Sequence, residues 1–325
     1  MARASERAHS PTKNFTTKLS RMSSSNPISP PPVPEEFVLR KADYFVDIQL
    51  WPPESKLNVN GWLSNFRSDE RAHAMQLLNS FIYLSPMLTD ELFKAAFQQL
   101  SRLVVKDSEP LLFNNAQWSR FRHAVVVTHV TGESPSTTDS GYSFARKARQ
   151  VLDIAQNKIM EPATLVQHLF DNGPQPVLFV DDFVGSGNQF VETWQREVEL
   201  RDGTFMSFER LAMASGYSFF YCPIVCTERG RTRIEEECKK VTLSPAHFLP
   251  EQYSAIANDS IVWTDELRPT ACNFLEQASK RAGITSWQGF HGLGLAFSFD
   301  YGPPDATLPI FYHDDNGWTP LVKRT

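Results

Sequence analysis

Between Gly61 and about Val105, apolar residues fall three and four positions apart, the spacing that lines one face of a helix. Trp62, Leu63 and Phe66 open the run. Asp69 is placed to cap a helix holding Ala74, Leu77, Leu78, Phe81 and Ile82. Thr89 is placed to cap a second, with Leu92, Phe93, Ala96, Phe97 and Leu100. The pattern predicts a helical lobe over residues 36–118. Its abundant aromatics suit a core; the alternative is a lobe that docks a protein partner.

From residue 119 onward the pattern changes to strands alternating with helices. Residues 124–127 form a β-branched run, followed by Thr128, His129 and Val130, and then a polar loop over 131–141. Helices are expected over 143–159 and around 165–170, before the Gly173-Pro174 break. The four apolar residues at 177–180 read as a buried strand that ends in two adjacent acids, Asp181 and Asp182. Gly185, Ser186 and Gly187 bend the chain into a helix carrying Phe190, Val191, Trp194 and Val198. Further strands are expected near 218–226, 241–243 and 292–299, with helices near 232–240 and 271–281. This order predicts an α/β domain over 119–325, a mainly parallel sheet flanked by helices. Ligands of such sheets sit beyond the carboxyl ends of the strands, where Asp181, Asp182 and Gly132 fall.

Composition narrows the function. A net charge of -5 leaves no global basic field to draw in nucleic acid. No apolar stretch approaches the ~20 residues that span a bilayer. Cys222, Cys226, Cys238 and Cys272 are too sparse for a secreted disulfide scaffold. Cys222 and Cys226 sit in an apolar run without metal-ligand neighbours, which reads as buried free thiols. The expected compartment is the cytoplasm. Residues 1–35 are rich in Ser, Thr, Pro and basic residues and include Pro30-Pro31-Pro32, the composition of a disordered tail. Their prolines and weak amphipathicity argue against a transit peptide, and they lack the apolar core of a signal peptide.

The chemistry concentrates at 176–190. Carboxylates accept hydrogen bonds from sugar hydroxyls, and backbone N–H groups at a helix start hold phosphate, so the segment suits a ribose 5-phosphate. A dinucleotide fingerprint fails because Phe190 stands where the third glycine belongs, and no lysine follows the glycines as in a P-loop. A receiver domain would need a phosphoacceptor and a lysine at later strand ends, where Thr227, Glu228 and Arg229 stand. A plain strand-to-helix turn, with Asp or Ser as cap, is the bland alternative. Two adjacent acids repel each other, however, and a fold has little reason to keep both without a cation or hydroxyl donors.

The run Leu178-Phe179-Val180-Asp181-Asp182-Phe183-Val184-Gly185-Ser186-Gly187 resembles the type I phosphoribosyltransferase signature: four apolar residues, two acids, two mostly apolar residues and a Thr/Ser/Gly-rich loop. The resemblance implies that Asp181 and Asp182 face the ribose hydroxyls. It implies that Gly185, Ser186, Gly187, Asn188 and Gln189 wrap the 5-phosphate. Mg²⁺ would accompany the phosphoribosyl ligand at Asp181 and Asp182, through the ligand or water. Pyrophosphate would sit on Gly132, Glu133, Ser134 and Arg146. Gln189 departs from the usual Thr or Ser. Gly185 stands where purine-directed members often carry an acidic general base, which disfavours purine salvage and leaves no general base to name.

The Asp-Asp-Phe-Val-Gly-Ser-Gly-Asn core is joined by a tail, Gly302-Pro303-Pro304-Asp305-Ala306-Thr307-Leu308-Pro309-Ile310 and Trp318-Thr319-Pro320-Leu321. Together they are similar to the phosphoribosyltransferase-like PRTase-CE proteins of bacterial conflict and anti-phage systems. The implied partner is a phosphoribosyl donor or nucleotide. The implied activity is phosphoribosyl transfer, with a non-catalytic nucleotide sensor or an N-glycosidic hydrolase as alternatives.

Secondary candidates have structural readings beside them. Arg229 or Arg231 could reach a phosphate, or pair with Glu235. His129 and His291 suit core or rim positions better than catalysis. Tyr312 and Trp318 could stack on a base, or pack in the core.

Overall fold

A computed structural model describes residues 32–105, 111–132 and 140–324. Its strands are β1 (Ile82–Leu84), β2 (Val126–His129), β3 (Pro176–Val184), β4 (Val198–Glu199), β5 (Phe205–Met206), β6 (Ser218–Thr227), β7 (Val241–Leu243), β8 (His247–Leu249) and β9 (Phe297–Phe299). Its first α-helices are α1 (Glu35–Asp47), α2 (Val59–Leu63), α3 (Arg71–Asn79), α4 (Pro86–Gln99), α5 (Ser101–Val104) and α6 (Leu111–Ala124). The others are α7 (Ser140–Val151), α8 (Pro162–Asn172), α9 (Asn188–Gln195), α10 (Phe208–Leu211), α11 (Glu228–Glu237) and α12 (Arg268–Ala282). Residues 1–31 of the expected tail lie outside the described residues, and Glu35 already opens α1.

The apolar run at 177–180 is uninterrupted because β3 is central. β2, β3, β6 and β7 lie side by side in that order, all parallel, and β8 follows β7 along the same edge of β6. A parallel strand covered on both faces has no solvent side for polar residues. On one face Leu178 and Val180 join Val127, Cys222 and Ile224 beneath α4, α6 and α7, which supply Phe93, Phe97, Phe121, Phe144 and Ala148. On the other, Val177 and Phe179 join Val126, Phe219 and Tyr221 beneath α8, α9, α10 and α11, which supply Leu165, Phe190, Trp194, Phe208 and Ile234. This is the expected α/β arrangement, a parallel sheet between helical layers. The chain leaves β2 into α7 on one face and leaves β3 into α9 on the other. That divergence opens a crevice at the carboxyl ends of these two strands.

The N-terminal helices pack in two places. α4 and α6 cover the sheet, whereas α1, α2 and α3 share a core with the C-terminal stretch. There Trp62 stacks on Phe311, with centroids 5.3 Å apart and planes at 15°. The indoles of Trp62 and Trp318 both donate to the Ile310 carbonyl, at 2.8 and 2.9 Å, using its two lone pairs.

Several local expectations are corrected. Ile82 lies in β1, not in a helix: β1 pairs in parallel with β9, Ile82 opposite Phe297, and that distant partner overrides the helical period. Asp69 caps nothing, since α3 starts at Arg71 and Glu70 precedes it. Thr89 is buried inside α4, whose cap is Ser85; its hydroxyl accepts from the Leu88 N–H at 3.3 Å and Pro86 presets the first turn. α7 ends at Val151, short of residue 159, and Val198 belongs to β4 rather than to the helix after the glycine bend.

Trp62 is fully buried and joins both ends of the chain. Trp62→Ala is expected to cost about 3–5 kcal/mol, read as a lower denaturant midpoint at unchanged slope. A loss below about 1 kcal/mol would show that the two ends do not depend on this contact.

Candidate functional site

β3 does not stop at the acids; it runs on to Val184. Successive strand residues normally point to opposite faces. Here the alternation slips after Val180, because Val184 joins the face of Val177 and Phe179 although its even position assigns it to the other. The slip sits at Asp181 and Asp182 and lets neighbouring carboxyls meet. Opposite Asp181 on β6 stands Pro223, which has no N–H to give to the ladder.

Donors reach the pair from three directions. Tyr221, on β6, donates its hydroxyl to Asp181 Oδ2 at 2.9 Å. The Asp182 backbone N–H donates to Asp181 Oδ1 at 3.0 Å. Tyr301, from the turn after β9, donates to Asp182 Oδ2 at 2.6 Å. Asp181 is 3% exposed and Asp182 7%. Burial, and then the neighbouring Asp182 charge, push the Asp181 carboxyl well above its usual range. Burial and the facing carboxylates likewise hold the Tyr221 and Tyr301 hydroxyls protonated far above their usual range.

Beyond the acids the chain turns at Gly185, Ser186 and Gly187 and enters α9. Gly187 has φ +81° and precedes Asn188, the first residue of α9. The bend rests on the first turn of α11. Thr227 donates its hydroxyl to the Gly185 carbonyl at 2.6 Å, and the same oxygen caps α11 by accepting from the Gly230 N–H at 3.1 Å. A Cβ on Gly230 would lie 2.6 Å from the Gly185 oxygen, so the two backbones approach as only glycine permits. The Asn188 side-chain oxygen accepts from Arg233.

These elements floor a cavity of about 580 Å³, within the ~300–1,000 Å³ range of small-molecule sites. Asp181, Asp182, Gly185, Ser186, Gly187, Asn188 and Gln189 all line it. The facing wall comes from the C-terminal stretch: Phe290, Leu293, Phe299 and the segment from Tyr301 to Ala306, with Arg324 bonded to Asp305 at the rim. Sequence patterns gave no sign of Tyr221 and Tyr301, which reach the acids through pairings across 40 and 119 residues. Gly230 was equally hidden, although a glycine in the first turn of a helix that follows a strand is a signal for close approach.

Gly132 and Arg146 are not among the residues that line this cavity. The Gly132 carbonyl accepts from Arg196 at 2.8 Å, and Arg196 also binds the Thr131 hydroxyl. Thr131 and Thr193 bond to each other, which ties the residue just after Val130 to α9. Arg146 lies on an exposed part of α7, beside a separate cavity lined by His129, Tyr142, Arg149 and Glu161. Glu133 and Ser134 lie outside the described residues. Arg231 pairs with Glu235 at 2.9 Å, and Arg229 donates to the His291 carbonyl at 3.0 Å. His129 is buried with Nε2 3.4 Å from Glu161, Trp318 is core, and Tyr312 is half-buried beneath Arg324. The four cysteines are free thiols, buried except Cys272.

Among the described residues no three His, Cys, Asp or Glu side chains cluster as a metal site. Asp181 and Asp182 offer two carboxyls, each already accepting a tyrosine O–H. Mg²⁺ commonly takes one or two carboxylates plus substrate phosphates, so this set fits an ion that arrives on a phosphorylated ligand. No helix among the described residues is long and apolar enough to cross a membrane.

A parallel sheet with an acidic strand end, a glycine bend and a helix start is a phosphoribosyltransferase-like architecture. The chain belongs to the PRTase-CE family, whose model matches residues 59–324 and so takes in the helices from α2 onward as well as the sheet. Among solved structures, the AQ2163 protein from Aquifex aeolicus is similar at 13% identity, over 59% of this chain and 82% of that one, with a TM-score of 0.29. Comparison with curated proteins gave no match.

The raised Asp181 carboxyl makes stability depend on pH. The folded state binds this proton more tightly than the unfolded chain, whose carboxyl titrates near 3.8. The resulting stability is full below that value and is lost as pH rises through the folded one. Asp181→Asn has no such proton to lose. As pH rises above about 4 the wild type should lose stability relative to the variant, measured as urea midpoints. Parallel curves would refute the raised carboxyl.

Proposed function

We propose that the cavity binds a phosphoribosyl ligand, a phosphoribosyl donor or nucleotide, with Mg²⁺ arriving on its phosphates. The observation that carries this reading is the meeting, in one cavity, of two adjoining carboxyls with a glycine bend that opens a helix. Asp181 and Asp182 would accept hydrogen bonds from the 2′- and 3′-hydroxyls. The amides from Gly185 to Gln189 would surround the 5-phosphate, aided by the positive end of α9. Bound Mg²⁺ would neutralise charge on the departing pyrophosphate.

In a transfer reaction, an acceptor nucleophile forms a bond to C1′ as the bond from C1′ to pyrophosphate oxygen breaks. The protein would contribute mainly position, holding the ribose while its ring becomes cationic. In the hydrolytic variant on a nucleotide, a water oxygen bonds to C1′ as the bond from C1′ to the base nitrogen breaks, and the base leaves with a proton from that water.

A second reading, a module that holds the nucleotide without turnover, is favoured by Gly185. A Cβ there would lie 3.0 Å from the Phe183 ring and 3.3 Å from Leu293, so packing leaves little room for an acidic base. Pyrophosphate release on incubation with a phosphoribosyl donor and a panel of bases supports transfer; binding without release supports the module.

Binding itself is tested by thermal shift with 5-phosphoribosyl 1-pyrophosphate and Mg²⁺. The shift should vanish in the double variant Asp181→Asn/Asp182→Asn. Gly230→Ala should weaken it by about tenfold or more in affinity, because its Cβ displaces the Gly185 carbonyl and with it the bend. A shift that persists in the double variant would sink the assignment.

A further inference from the structure

We propose that Tyr301 is a built-in occupant of the hydroxyl seat on Asp182, which an incoming sugar must displace. The inference rests on the phosphoribosyl reading above and adds a residue that selects what may enter. A phenol O–H donating to a carboxylate at 2.6 Å is the same interaction that a ribose hydroxyl would make there. With Tyr301 in place, Asp182 has almost no surface for a ligand to touch.

Two tyrosines flank the carboxyl pair. Behind Asp181 lies Tyr221, buried within the sheet and stacked on Phe190 with centroids 4.1 Å apart. Tyr221 cannot leave without opening the core. Tyr301 covers the other side and is different in kind. Its hydroxyl reaches inward and one ring face stacks on Phe299 at 5.1 Å, yet the residue is 43% exposed. The backbone beneath it is pinned. Phe299 and Gly302 exchange N–H···O bonds, both at 3.2 Å, across the turn. Asp300 donates its N–H to the Leu84 carbonyl at 3.1 Å and accepts the Tyr83 hydroxyl at 2.7 Å. The turn can therefore stay while the Tyr301 side chain swings toward solvent.

Exchange of one O–H donor for another leaves Asp182 satisfied. Removal of Tyr301 without replacement would strand a buried carboxylate, which is costly. The seat thus admits ligands that bring a hydroxyl within reach of Asp182 and resists those that lack one.

The test is calorimetric titration of 5-phosphoribosyl 1-pyrophosphate with Mg²⁺ into wild type and Tyr301→Phe. Phenylalanine keeps the stack on Phe299 and removes only the competing donor. The variant should bind about tenfold more tightly. Stopped-flow binding rates should level off with ligand concentration in the wild type, where the side chain must leave first, and rise linearly in the variant. Binding by the variant alone would also support the seat. Equal or weaker binding by a folded variant would overturn it while leaving the phosphoribosyl reading intact. No heat with either protein would bring down both. Should Tyr301→Phe fail to fold, Tyr301→Leu serves instead: it also removes the hydroxyl while the turn keeps its backbone bonds, it should likewise tighten binding, and unchanged affinity there counts against the seat.

Discussion

Two carboxyl groups from consecutive residues are shut inside a parallel sheet, and the local structure is arranged around keeping them there. Buried acids lose hydration and repel each other, so each needs donors from the protein. Tyr221, the Asp182 amide and Tyr301 supply them. The remaining strain falls on ionisation, and Asp181 keeps its proton far above the usual range. Even the strand yields: its alternation slips at the acids, and Pro223 faces Asp181 without a donor. Hydrophobic packing gains nothing from this cluster, and on the proposed reading its use is to receive the hydroxyls of a sugar.

The acidic pair was legible in the sequence because it breaks a pattern within ten residues. An apolar run meets two charges and then glycines, and each step has a local physical meaning. The sheet and its helical layers were legible for the same reason. What was not legible depends on distance along the chain. β1 is three residues inside a helical period, and only β9, more than two hundred residues on, makes it a strand. Tyr221 looks like one more aromatic in a buried strand until β6 is set in register beside β3. Tyr301 looks like a turn residue until β9 delivers that turn to the acids. The caps were misplaced for a smaller reason: Asp69 and Thr89 are good capping types, but Pro86 already marked Ser85 as the start of α4.

The glycines of the bend have a shared cause. The carbonyl of Gly185, the left-handed Gly187 and the first turn of α11 at Gly230 occupy one tight contact, and a side chain on any of them intrudes on backbone or on an aromatic ring. The bend is therefore shaped by α11 as much as by its own sequence. The same crowding bears on chemistry. Packing against Phe183 and Leu293 leaves little room at position 185 for the acidic base that the proposed transfer would otherwise use.

The far wall of the cavity and the second core are one piece of chain. Ile310, Phe311, Trp318 and Leu321 close the core around Trp62, while Tyr301, Asp305 and Arg324 from the same stretch face the acids or the rim. The segment between them is held at both ends, by Asp300 on Tyr83 and Leu84 and by Ile310 under two indoles. Large rearrangement of the wall would break one of these anchors and expose buried aromatic surface. Motions confined to side chains, or to the few residues between the anchors, would not. Ligand access on the proposed reading is thereby limited to small movements, and the wall is anchored by Trp62 of α2 and by β1, both more than two hundred residues away in the sequence, and by Trp318 nearby.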